Sequence, residues 1–126
     1  GVQTCALPIL EERDTVRKGL ADCLRAVICQ RLAPRAIGKG VVPVVEILIN
    51  TPIVRKLIFD NKLEKLPQAI EAGGDDNMVS FNGSLHKLVN NGDITEETAM
   101  RFSDNPQELK MRLKGIKLSE GAGIIQ

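Results

Sequence analysis

The stretch Gly38-Lys39-Gly40-Val41-Val42-Pro43-Val44-Val45-Glu46-Ile47-Leu48-Ile49-Asn50-Thr51-Pro52 decides how the rest of the chain is read. Val41–Ile49 is rich in β-branched residues and bounded by turn formers, which makes it the strongest strand signal in the sequence. Gly38-Lys39-Gly40 supplies a flexible turn, so the end of the preceding helix and this strand are predicted to flank a β-hairpin. Pro43 cannot donate to a ladder, which predicts an unpaired edge at that position. Glu46 interrupts an apolar run and is expected on the solvent face or paired, in a structural ion pair rather than in catalysis. Thr51-Pro52 then reads as an N-cap followed by proline at the first helical position, so the strand gives way to a helix.

Working outward, residues 11–32 read as one long amphipathic helix, because Val16, Leu20, Leu24, Val27, Ile28 and Leu32 recur at spacings of three and four. Glu11, Glu12 and Asp14 open it and Arg31 closes it, as the helix dipole favours. Gly19 weakens it by about 1 kcal/mol relative to alanine. Cys23 and Cys29 do not share a helical face and are expected to be small buried or boundary residues. Downstream, Ile53, Val54, Leu57 and Ile58 form the apolar side of the proline-capped helix. A second helix surrounds Leu66, Ala69 and Ile70 and stops at Gly73-Gly74-Asp75-Asp76; a third runs from Ser80 to Asn91-Gly92; a fourth starts at Thr95. Asn105-Pro106-Gln107-Glu108 has the pattern of a capping box for a fifth. The fold class expected is α-dominant α/β: one β-hairpin followed by a cluster of short helices. Residues 115–126 lose periodicity and are expected to form a mobile tail. Gly1–Ile9 resembles the translation of a common sequencing-library adapter, so Leu10 is expected to lie inside a longer gene.

Composition excludes several functions. The chain has 126 residues, a formal net charge of +1 and only 2% aromatic residues, with no Trp or Tyr. Single-strand nucleic-acid binders stack bases on aromatic platforms, and a dedicated nucleic-acid binder carries a basic excess; neither is present, so no nucleic-acid partner is expected. The core is expected to be aliphatic. A membrane helix needs about 18 consecutive apolar residues, and the longest apolar run is broken by Pro43 and Glu46, so no transmembrane segment is predicted. No basic-then-apolar leader opens the sequence. Cys5, Cys23 and Cys29 show neither metal-ligand spacing nor an even disulfide set, which suits a cytosolic compartment with free thiols.

No self-sufficient active site emerges. A phosphate loop needs a glycine five residues before its second glycine and Ser or Thr after the lysine; around Lys39 those positions hold Ala33 and Gly40. Gly38–Gly40 is therefore read as a hairpin turn. His86, the one histidine, has no spaced ligand or nucleophile beside it and reads as a surface residue. Asp75-Asp76 reads as a solvated turn. No catalytic, cofactor-binding or metal-binding residue is assigned.

From about Leu10 to Leu113 the chain nevertheless resembles the C-terminal part of the type IV pilus retraction (twitching-motility) ATPases, bacterial members of the secretion-type hexameric ATPases. The resemblance begins with Leu20-Ala21-Asp22-Cys23-Leu24-Arg25-Ala26-Val27-Ile28-Cys29-Gln30-Arg31-Leu32, which looks like the family's helix and strand running into its core, continues through Gly38-Lys39-Gly40 and Val45–Pro52, and is most telling at Ile53-Val54-Arg55-Lys56-Leu57-Ile58. That hexapeptide stands where the family carries an Ala-Ile-Arg-Asn-Leu-Ile helix tied to retraction; Arg55, Leu57 and Ile58 match outright, while Ile53 and Lys56 depart from it. Leu66–Gly73 and Leu85–Thr95 also fit the family's order.

The resemblance implies a RecA-like P-loop ATPase domain, with residues 10–50 as the end of its core (helix plus β-hairpin) and 51–114 as a C-terminal helical subdomain. It implies ATP and Mg2+ held by a phosphate loop and Walker B acid upstream of this stretch, none bound by the stretch itself, and no activity of the stretch alone. It further implies a homo-hexameric ring at the cytoplasmic face of the inner membrane, passing force to a pilus platform protein there. Ile53, Val54, Arg55, Lys56, Leu57 and Ile58 are the implied interaction residues, with Arg55 as donor to a partner carboxylate. Two alternatives stay open. An assembly or secretion ATPase of the same superfamily is disfavoured by the bare turn at Ile37–Gly40, where such relatives often insert a four-cysteine zinc module. A stand-alone helical adaptor would require Leu10 to lie near a true start codon.

Overall fold

Residues 10–115 are described by a computed structural model. Six α-helices and one two-stranded sheet occupy them: α1 (Leu10–Cys23), β1 (Ala26–Pro34), β2 (Val41–Ile49), α2 (Pro52–Phe59), α3 (Leu66–Ala72), α4 (Phe81–Asn90), α5 (Glu96–Phe102) and α6 (Pro106–Leu113). The adapter-like Gly1–Ile9 and all of the predicted tail beyond Gly115 lie outside the described residues.

Capping chemistry sets most helix boundaries. Thr51, Ser80 and Thr95 each accept a backbone N–H from three residues on, at the starts of α2, α4 and α5. Asn105 does the same for Glu108 at the start of α6. The return half of that predicted capping box does not form. Glu108 is held instead by Asn82 and Arg112, and the Asn105 N–H goes to the Ser103 hydroxyl at 3.0 Å.

The helix predicted over residues 11–32 is two elements. α1 ends at Cys23, and the chain is extended from Ala26. The three-and-four spacing coexists there with β-branched Val27 and Ile28, and β2 offers ladder hydrogen bonds that local periodicity does not reveal. The two cysteines differ from expectation for the same reason: both are exposed. Cys23 lies past the last buried residue of α1, and β1 buries only Ala33.

The hairpin keeps one register along its length. Asn50 donates its N–H to the Arg25 carbonyl at 2.9 Å, and Arg35 donates to that of Gly40 at 3.1 Å. Arg31 thus lies opposite Val44 and Ala33 opposite Val42. The odd-numbered residues of β2 turn their backbone nitrogens outward, which is where Pro43 sits, so no ladder bond is lost to it. The outward N–H of Val45 is taken by the Ser84 hydroxyl at 3.2 Å. Gly38 and Gly40 close the turn at φ of 82° and 101°, a region that side chains disfavour.

The described residues divide by packing into two units, one comprising 10–27 and 47–78, the other 28–46 and 79–115. In the first, Ala21, Leu48, Val54, Ile58, Ile70 and Met78 form the core. Gly73 gives way to Met78: a Cβ there would meet the Met78 sulfur at 2.7 Å. In the second, Ala33, Val42, Val44, Leu85, Ile94, Ala99 and Leu109 are joined by Phe81, so this core is not purely aliphatic. Each large aliphatic side chain buried in these cores contributes about 1.5–3 kcal/mol.

Candidate interaction site

The hexapeptide singled out in the sequence is most of α2, in the first unit, and its residues divide by face. Val54 and Ile58, one helical turn apart, are buried in the core, and Leu57 is half-buried. Ile53, Arg55 and Lys56 are exposed, Ile53 by 70%. The helix is short but well started. Pro52 needs no N–H partner, and the Thr51 hydroxyl accepts the Val54 N–H at 3.4 Å.

α1 packs against α2, and two facing pairs one turn apart on each helix define their antiparallel alignment. Arg55 Nη1 lies 4.0 Å from Asp22 Oδ1, and the Lys18 ammonium stands 5.2 Å from the centre of the Phe59 ring. Both partners of the ion pair are more than half exposed, so it is worth about 0–1 kcal/mol. Arg55 therefore retains most of its guanidinium donors for another surface. Asp22 and Lys18 carry no signal in the sequence, because they meet α2 only through the packing of the helices.

In the second unit, Arg31 makes the most elaborate contacts of any side chain in the hairpin. Its guanidinium donates to the Phe102 carbonyl at 2.8 Å and to both Asp104 oxygens at 3.0 and 3.2 Å, and lies 4.2 Å over the Phe81 ring. Asn82, buried, donates to the Asn105 carbonyl and to Glu108 and accepts the Ser103 hydroxyl at 2.6 Å; Glu108 in turn accepts from Arg112 at 2.6 Å. These polar groups satisfy one another and tie α4 to the α5–α6 segment. Glu46 accepts the Phe81 N–H at 3.3 Å, a backbone contact in place of the predicted ion pair. His86 is half-buried and bonds Asn90 at 3.2 Å.

Nucleotide and metal require a phosphate cradle and clustered acids. Gly38–Gly40 joins strand to strand, so no helix N-terminus stands behind it to receive a phosphate. No group of three His, Cys, Asp or Glu among the described residues could hold a metal ion. Among the described residues, the Gly38–Gly40 turn therefore does not fit a nucleotide phosphate, and the acids do not fit a clustered Mg2+ site. No described helix is long and apolar enough to cross a membrane.

This arrangement of helices and hairpin is similar to part of a solved motor protein. It matches the crystal structure of the pilus retraction motor PilT with bound ADP at a TM-score of 0.71 and 35% identity, covering 83% of this chain and 29% of that one. Among curated proteins, the twitching motility protein of Neisseria gonorrhoeae is 37% identical over 98 residues, which is 78% of this chain and 26% of the relative. The type IV pilus ATPase PilU of Pseudomonas aeruginosa is 32% identical over 91 residues, 72% of this chain and 24% of the relative. The chain is thus homologous to part of proteins named as type IV pilus ATPases and twitching motility proteins, and it spans about a quarter of the length of these curated relatives. No protein-family model matches it.

Proposed function

We propose that this chain is the C-terminal part of a motor ATPase that powers type IV pilus retraction. ATP and Mg2+ would be bound by upstream residues of the parent protein, which would work as a homo-hexameric ring at the cytoplasmic face of the inner membrane. The observation that carries this reading is the fold match to a pilus retraction motor at 35% identity. In this reading, residues 10–50 end the ATPase core and 51–114 form the helical subdomain that passes force to the inner-membrane platform protein.

Ile53-Val54-Arg55-Lys56-Leu57-Ile58 is the proposed contact. The split of α2 supports it: Val54 and Ile58 anchor the helix, leaving Ile53, Arg55 and Lys56 open to a partner. An exposed arginine on a proline-started helix can make paired, charge-assisted hydrogen bonds to a carboxylate. The test is Arg55→Ala in the full-length protein, reading pilus retraction and ATP turnover together. Retraction is expected to be abolished while turnover is largely retained. Equal loss of both would reduce Arg55 to a structural residue.

A further inference from the structure

The C-terminal end of α1 lacks the usual means of satisfying its last carbonyls. There is no basic residue in its last turn and no glycine following it. The Leu20 carbonyl is taken locally by the Leu24 N–H at 2.8 Å. The next carbonyl belongs to Ala21, a fully buried residue that water does not reach. Its partner comes from far along the chain: Asn50 Nδ2 donates to the Ala21 carbonyl at 2.9 Å and to the Leu24 carbonyl at 2.8 Å. The Asn50 backbone N–H adds a third bond, to the Arg25 carbonyl at 2.9 Å. These two donations from Nδ2 orient the amide. The next residue, Thr51, caps α2.

We propose that Asn50 is a positioning residue: its amide caps α1 from a distance and thereby docks the start of α2 on the end of α1, which sets where Arg55 stands. A buried carbonyl left without its donor is costly, and the same loss would free the Thr51 cap to move. The inference rests on the proposed role of Arg55 for its functional consequence, though not for its structural one. Aspartate at this position keeps the size but replaces the donor with a carboxylate facing two carbonyls, so Asn50→Asp is the sharper variant, while Asn50→Ala removes the donor without adding charge.

The experiment compares the full-length wild type with Asn50→Asp, Asn50→Ala and Arg55→Ala, by amide hydrogen exchange and by the ratio of retraction events to ATP turnover. Both Asn50 variants are expected to speed exchange at Leu24 and Val54 about tenfold or more, leaving α4 and α6 unchanged. They are also expected to lower the retraction-to-turnover ratio in the direction of Arg55→Ala. Unchanged exchange at Leu24 and Val54 overturns the inference. So does faster exchange throughout the protein, which would make Asn50 a general stabiliser. A ratio that stays at the wild-type value in both Asn50 variants while Arg55→Ala lowers it overturns the positioning role. If Arg55→Ala itself leaves the ratio unchanged, the reading of Arg55 fails instead, and the exchange data alone decide whether Asn50 docks α2.

Discussion

At the scale of residues, arginines divide the labour in a way that their charge alone does not announce. Arg55 stands in the open beside a weak surface partner, whereas Arg31 is bound on three sides by a carbonyl, a carboxylate and an aromatic face. A planar guanidinium can make all three contacts at once, and a lysine ammonium cannot. Arg31→Lys is therefore expected to cost about 1–2 kcal/mol of stability, since charge-assisted bonds are worth somewhat more than neutral ones. Thermal or denaturant unfolding checks this, and an unchanged midpoint would mean that the contacts contribute nothing net. The sequence placed Arg31 only as the basic close of a helix. Its real partners, Phe81, Phe102 and Asp104, are 50 or more positions away and left no local trace.

At the scale of elements, what was legible had a local cause. Thr51, Ser80, Thr95 and Asn105 announce helix starts because a short polar side chain satisfies an N–H three residues on, within the same few residues of chain. Thr51→Ala should accordingly destabilise the protein by about 1 kcal/mol, a loss that a denaturant titration would register and that Thr51→Ser should largely avoid. β2 was legible for the same reason: β-branched residues between turn formers. β1 was not legible from its own pattern, because its strand character comes from pairing with β2; only the family resemblance placed a helix and then a strand over residues 20–32. Ala26–Pro34 buries only Ala33 and shows no alternation of apolar and polar residues. The exposure of Cys23 and Cys29 follows from that one misplaced boundary. The reciprocal half of the capping box failed because Glu108 found stronger partners in Asn82 and Arg112, again distant or cross-helix.

At the scale of the whole molecule, the shortage of aromatics suits two small cores built mainly from aliphatic side chains. The candidate site was legible as a string of residues, through its likeness to a family helix. Which of those residues face outward required the packing of α1 on α2. The 126 residues alone are expected neither to bind nor to hydrolyse ATP, because the glycine turn joins two strands and offers no phosphate cradle. Isothermal titration with ATP checks this, and micromolar binding would contradict it. The central claim, that the parent protein is a pilus retraction motor, is tested most directly in cells that assemble type IV pili but lack a retraction ATPase. Counting pilus retraction events after supplying the full-length gene should show restoration by the wild type and none by Arg55→Ala. Failure of the wild type to restore retraction would contradict the account.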